Sequence, residues 1–359
     1  MDGGALVAEV LKQQQVQTLF TLCGGHISPI LVACKKSGIR VIDTRHEASA
    51  VFAADASARL TGIAGVAAVT AGPGITNSIT AIRNALMAQS PIVLLGGAAP
   101  TLLKGRGALQ DIDQVSLMRP NVKWLAAVRQ RKDIQPTLLK AFRFASEGTP
   151  GPVFVELPLD LLFDESLVRS WYTKAAGGTS VGARVTSWYI QRHTEKLFAG
   201  GVAHPLSSPA VHIPTHHRQD LTRLQAKLDH CQRPLMLVGS GAMMQPQLAD
   251  KLSSSLPVAG IPLYLSGMAR GLMGPAHPLH FRHHRKEARR DADLVVLAGV
   301  PADFRLDYGR HISRKTFLVG LNRSRKDLLR NRKPELALHC DPTQFLIDFA
   351  AHFKPKHKW

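Results

Sequence analysis

The chain is 359 residues long, too long for one ordinary hydrophobic core and about right for two domains of ~150 residues each. Its 45% hydrophobic residues, 29 glycines and 22 prolines describe a globular α/β protein and exclude a disordered or fibrous one. Lys and Arg outnumber Asp and Glu by 45 to 26, a formal charge of +19, which favours anionic partners without choosing among nucleic acid, an acidic membrane surface and a phosphorylated small molecule.

No run of 18 apolar residues occurs, and the opening MDGGALVAEVLKQQQVQ has neither a basic start nor an apolar stretch, so the expectation is a soluble chain without a secretory signal. Cys23, Cys34, Cys231 and Cys340 form no CxxC pair and no zinc spacing, which suits buried thiols in a reducing compartment.

In chain order, the first 160 residues alternate helical periods with short apolar runs. Helices are expected at GALVAEVLKQQQ, ISPILVACKKSG, ASAVFAADASARLTG and TNSITAIRNALMAQ, and strands at TLFTLC, IRVIDT, GVAAVTAG and PIVLLGG. Apolar runs without alternation mark strands buried on both faces, hence a parallel sheet with crossover helices. A helix near 132–146 leads to a last strand in GPVFVELPLD, closed by proline. The first domain is therefore expected over 1–170. Residues 171–219, rich in Gly, Pro, Ser and His with little periodicity, read as a linker. A second, smaller α/β pattern fills 220–350: helix LTRLQAKLDHC, strand RPLMLVGSG, helix QPQLADKLSSSL, strand IPLYLS, a basic helix, then strands ADLVVLAGV and KTFLVGLN, before a tail at 351–359. The expected fold class is α/β, two doubly wound parallel-sheet domains. In the basic stretch FRHHRKEARR, Arg282, Lys286 and Arg289 share one helical face, as a solvated helix surface would. With no helix-turn-helix and no aromatic-interleaved basic strand, nucleic acid is not the expected partner.

Glu47 stands where the strand IRVIDT gives way to an alanine-rich helix. A carboxylate there meets the positive end of the helix dipole, worth a few tenths to ~1 kcal/mol, or it serves chemistry. VTAGPGITNS is a strand, a tight turn and a helix start, with Thr76 or Asn77 placed to cap. Its glycines serve the turn by positive φ, or let the backbone approach a ligand at the carboxyl end of the sheet. Glu47 is expected at the corresponding end of the neighbouring strand, so that the two loops form one rim. GALQDIDQ reads as a polar loop and LCGGHIS as a Gly-Gly turn with a histidine. VGSGAMM lacks the third glycine of a dinucleotide fingerprint, and no GxSxG, HExxH or GxxxxGK[ST] occurs, which removes the usual signatures of serine hydrolysis, zinc proteolysis and P-loop phosphate transfer.

Taken in order and at their spacing, RHEASAVFAADASARLTG, AGPGITNS, SPIVLLGGAAP, ALQDIDQ and GPVFVELPLD resemble the pyrimidine-binding domain of thiamine diphosphate-dependent enzymes. RPLMLVGSGA, GMARGLMGPAHPL and ADLVVLAGVPADFRLDYGR resemble the Rossmann-like central domain of the acetolactate synthase branch, so the resemblance covers about 3–172 and 220–350. It implies that Glu47 hydrogen-bonds the ring nitrogen of the cofactor's aminopyrimidine and favours the imino tautomer, whose exocyclic nitrogen takes the proton from thiazolium C2. The carbanion then attacks a 2-keto acid or cleaves a 2-hydroxyacyl-CoA. By the same resemblance Gly72, Pro73, Gly74 and Asn77 line the pyrimidine end and a dimer contact, Gln110 reaches the reacting centre, and Gly25 and His26 face the substrate. An FAD in the central domain would have Gly239, Gly241 and GMARGLMG as neighbours. The family holds Mg²⁺ and the cofactor's diphosphate on a further domain carrying a GDG sequence, which does not occur here, so no metal ligand is expected in this chain. The implied assemblies are a homodimer or tetramer, or a dimer with a full-length relative in which this chain is either a catalytic half-site or a non-catalytic subunit. The resemblance further implies association of relatives with the endoplasmic reticulum membrane through an N-terminal anchor, for which no counterpart is expected in these residues.

Overall fold

Asp2 starts the first helix, α1 (Gly3–Gln13), by accepting the Ala5 N–H at 2.7 Å. The computed structural model describes residues 2–175, 180–200 and 207–353, and the chain divides into two units, Met1–Val211 and His212–Trp359. In the first unit β1 (Thr18–Thr21), α2 (Ser28–Lys36), β2 (Arg40–Asp43), α3 (Glu47–Thr61), β3 (Gly65–Val69), α4 (Pro73–Ala88) and β4 (Ile92–Ala98) alternate strictly. They are followed by α5 (Gln114–Met118), β5 (Trp124–Ala127), α6 (Ile134–Ser146), β6 (Val153–Pro158), α7 (Leu159–Leu162), α8 (Glu165–Ala175) and α9 (Val181–Phe198).

The six strands lie in the order β2-β1-β3-β4-β6-β5, all parallel, with Thr21 opposite Asp43 and Val69 opposite Gly96. Along β3 the side chains alternate between two cores. Val66 and Ala68 pack with α1, α2 and α6, whereas Ala67 and Val69 pack with α3 and α4. Burial on both faces is why these strands read as unbroken apolar runs. The edge strand β5 pairs only with β6 and is half-buried throughout, so its four residues carried no periodic signal strong enough to be read as a strand.

The segment expected as a linker, 171–219, differs from that expectation. It holds the end of α8 and all of α9, whose N-terminus is capped by Ser180 accepting the Ala183 N–H at 3.2 Å. Ile190, Leu197 and Phe198 join the core of the first unit. The buried face holds only Ile190, Leu197 and Phe198 beside Thr194, and Val181, Val185 and Trp188 lie outside it, so the helical period was faint. Parts of the expected linker (176–179 and 201–206) and of the tail (354–359) lie outside the described residues.

The second unit runs α10 (Arg218–Leu228), β7 (Pro234–Val238), α11 (Ala249–Ser255), β8 (Leu263–Leu265), α12 (Arg285–Asp291), β9 (Leu294–Ala298), β10 (Phe317–Asn322), α13 (Arg325–Leu328), β11 (Leu336–His339) and α14 (Pro342–His352). Its five parallel strands are ordered β11-β10-β9-β7-β8. Both units are thus parallel α/β sheets. The basic helix α12 is only partly a solvated face. Arg289 is buried, donating to the carbonyls of Leu306 at 2.8 Å and Arg285 at 3.2 Å, and this exchange of water for two carbonyls is what lets a guanidinium sit there.

Candidate active site

Glu47 is the first residue of α3, and the Nδ1 of His46 before it accepts the Ala48 N–H at 3.1 Å. A carboxylate in that first turn faces the positive end of the helix, yet it is not a surface charge, since only 6% of the residue is exposed. Its Oε2 accepts a hydrogen bond from Asn77 Nδ2 at 3.0 Å.

Asn77 arrives there through the turn that opens α4. Gly72 has φ +61°, a conformation costly to any residue with a Cβ, and a Cβ at that position would lie 2.7 Å from the Gln110 carbonyl oxygen. Pro73 takes the first helical position, where its missing N–H is no loss. A Cβ on Gly74 would lie 3.0 Å from Thr70 Cγ2 and 3.5 Å from Glu47 Oε1. The sheet order corrects one expectation. Glu47 does not follow a strand next to β3, because β1 lies between β2 and β3. The crossover from β2 to β3 carries α3 over β1, so α3 and α4 share one face of the sheet and one core. Helix against helix, and not strand beside strand, brings Glu47 to Asn77.

A second chain of contacts reaches the same turn. His26 Nδ1 lies 3.2 Å from Thr70 Oγ1, and the Thr70 hydroxyl donates to Gln110 Oε1 at 3.4 Å. Burial holds the His26 imidazole below its ordinary pKa. Gln110 has φ +60°, an uncommon conformation for a residue with a Cβ. Gly25 lies in open space, whereas the preceding Gly24 is constrained, because a Cβ there would come within 2.4 Å of Thr70 Cβ. The structure therefore brings Glu47, Gly72, Gly74, Asn77, Gln110 and His26 into one connected cluster at the carboxyl edge of the first sheet, with Pro73 in its turn and Gly25 at its margin.

Gln114, Glu156 and Lys104 complete the cluster, and sequence reasoning had passed over all three. Gln114 is 2% exposed. Its Oε1 accepts the Gly72 N–H at 3.1 Å, and its Nε2 donates to the Gly97 carbonyl at 3.0 Å and to Glu156 Oε2 at 2.9 Å. One side chain thus ties together the ends of β3, β4 and β6. Lys104 Nζ pairs with Glu156 Oε1 at 2.5 Å. A lone carboxylate within the apolar run VFVELP was the available signal, since an unpaired acid is rarely buried. Among the described residues no group of three or more His, Cys, Asp or Glu is placed to hold a metal.

In the second unit, Gly239 and Gly241 are explained by packing. A Cβ on the first would lie 2.4 Å from Val300 Cγ2, and on the second 2.7 Å from Gly299 Cα. A separate cavity of about 700 Å³ is lined by Arg270, Arg282, Arg285, His280, Tyr264 and Phe281, among others.

Compared with known proteins, residues 1–117 match the family described as thiamine pyrophosphate enzyme, N-terminal TPP binding domain, and residues 221–349 match thiamine pyrophosphate enzyme, central domain. The chain is 50% identical over 350 residues to 2-hydroxyacyl-CoA lyase 2 of Homo sapiens, covering 96% of this chain and 55% of that protein. It is 48% identical over 357 residues to 2-hydroxyacyl-CoA lyase 2 of Danio rerio, covering 98% and 58%. To an acetolactate synthase large subunit of Mycobacterium tuberculosis it is 33% identical over 358 residues, covering 100% and 59%. The chain spans a little over half the length of these relatives. With a parallel-sheet unit beneath each match, the chain belongs to the thiamine pyrophosphate enzyme family, of which it carries the N-terminal and central domains.

Proposed function

We propose that Glu47 and the turn from Gly72 to Asn77 form the aminopyrimidine half of a thiamine diphosphate site, in an enzyme that makes or breaks a carbon–carbon bond in a 2-hydroxyacyl-CoA or a 2-keto acid. The observation that carries this reading is a buried carboxylate at a helix N-terminus, one oxygen held by Asn77 and the other beside a residue without a Cβ. These residues fit the group: Gly74 leaves space next to Oε1, and a carboxyl group there is placed to hydrogen-bond a heterocyclic nitrogen. The cofactor, when bound, supplies the carbon nucleophile and the electron sink. Asn77 fixes Oε2, so Oε1 is the atom assigned to the shared proton. Gln110, held by Thr70, and His26 are assigned to the substrate side, with Gly25 beside them. The reading needs Mg²⁺ and the diphosphate held by residues beyond the two domains matched here, in a homodimer or tetramer or in a dimer with a full-length relative.

The arginine-lined cavity of the second unit supports a phosphorylated ligand there, either FAD or the nucleotide end of a CoA thioester, since three guanidiniums match phosphate oxygens and Tyr264 and Phe281 offer aromatic faces. Calorimetric titration with thiamine diphosphate and Mg²⁺, of the chain alone and mixed with a full-length 2-hydroxyacyl-CoA lyase 2, tests the main reading. Expected are binding and turnover in the mixture beyond what the longer protein provides, with turnover lowered about 100-fold or more by Glu47→Gln in this chain. Association with unchanged turnover would instead make the chain a non-catalytic subunit.

A further inference from the structure

Only one face of α9 (Val181–Phe198) is used by the fold. Ile190, Leu197 and Phe198 enter the core of the first unit. The helix is fastened there by Thr194, which accepts from Arg169 Nη1 at 3.1 Å, by His193 Nε2 at 2.8 Å from Thr101 Oγ1, and by the Arg131 guanidinium 4.9 Å from the Phe198 ring centroid. On the opposite face Val181, Val185 and Trp188 stand at i, i+4 and i+7 with Tyr189 beside them, exposed by 79%, 61%, 60% and 50%. Arg184, Arg192 and Lys196 are exposed around this stripe, and the Arg192 guanidinium lies 5.7 Å from the Trp188 ring centroid. Glu195, the acid on the same face, accepts from Gln191 at 3.0 Å.

We propose that this face of α9 is a docking surface for an anionic lipid interface, on which the helix lies flat without crossing it. Tryptophan and tyrosine combine an apolar body with a polar edge and settle at headgroup depth, and arginines among them meet lipid phosphates and carboxylates. Charge selects this occupant over a second copy of the chain, because face-to-face pairing of two α9 helices would stack Arg184, Arg192 and Lys196 on their like. No helix among the described residues is long and apolar enough to span a membrane, so the contact is peripheral. It requires no refolding, since the buried face already holds the helix in place.

The test is co-sedimentation of the full chain with vesicles of phosphatidylcholine, and of phosphatidylcholine with about one-third phosphatidylserine. The formal charge of +19 attracts the whole molecule to any anionic surface, so variants isolate the helix. Trp188→Ser with Tyr189→Ser is expected to weaken binding to the anionic vesicles about tenfold or more, and Arg184→Gln with Arg192→Gln about fivefold for each charge removed. Removing two exposed charges elsewhere, Lys35→Gln with Lys36→Gln on α2, is expected to change binding less than about twofold, because those side chains lie outside the contact. As a measurement independent of any variant, the tryptophan emission of the unaltered chain is expected to shift to the blue on adding anionic vesicles. Equal losses from the α2 and α9 charge pairs, or equal binding to the uncharged vesicles, would overturn the proposal. A dimer seen in sedimentation equilibrium and dissolved by the aromatic pair would assign the face to a second copy instead.

Discussion

A buried amide has to satisfy its oxygen and both its protons, and Gln114 does so by clasping Gly72, Gly97 and Glu156 at once. Gln114→Leu keeps the volume, leaves the Gly72 N–H without this acceptor and the Gly97 carbonyl without this donor, and leaves Glu156 with Lys104 alone, so urea denaturation is expected to show a loss of about 2–3 kcal/mol. The two adjacent glycines of LCGGHIS separate on the same physical ground. Gly24→Ala drives a methyl against Thr70 and is expected to cost about 1–3 kcal/mol, while Gly25→Ala enters open space and is expected to stay within about 0.5 kcal/mol. The thiols differ as sharply. Burial pushes Cys34 and Cys340 up to about 12, and Cys231, half-buried, up to about 12 as well, whereas Cys23 is exposed beside the candidate site. A disulfide reagent added to the folded chain is expected to label Cys23 alone in the fast phase.

At the scale of elements, the two histidines that fasten loops and helices are sensitive to acid. Burial lowers the pKa of His26, which joins the β1 loop to Thr70, and of His193, which joins α9 to Thr101. A base with a depressed folded pKa takes up protons in the unfolded chain first. The stability it contributes is complete above the unfolded value of 6.5 and declines as pH falls from there toward the folded value. Urea midpoints are therefore expected to fall between pH 7.5 and 5.5, and His193→Gln is expected to flatten that decline. The packing of α9 has its own test. Leu197→Ala, in the core of the first unit, is expected to cost about 2–4 kcal/mol, which would show that this helix is integral to the unit and not a connecting segment.

Over the whole molecule, the alternation of apolar runs with helical periods was legible in the sequence because parallel strands buried on both faces leave no other pattern. Glu47 and the Gly72 turn were legible as local features, an acid at a strand-to-helix junction and a glycine where a turn needs positive φ, whereas Gln110 entered only through the family resemblance. Three kinds of feature were not. The edge strand β5 and the helix α9 each bury only part of one face, so their periodic signals were weak. The clasp of Gln114 on Glu156 joins residues 42 apart in the chain, and nothing in either local stretch announces the other. Glu47 and the Gly72 turn were expected at the ends of neighbouring strands, yet β1 lies between those strands and Glu47 meets Asn77 across neighbouring helices, because the place of β1 in the sheet is decided by how crossovers stack. The sequence by itself thus determined the class of fold, through short-range periodicity, and the family, through the order and spacing of its motifs. Only the tertiary structure decided which strands adjoin, which polar groups satisfy one another in the interior and which face of α9 remains outside, since each of these depends on close packing between segments distant along the chain.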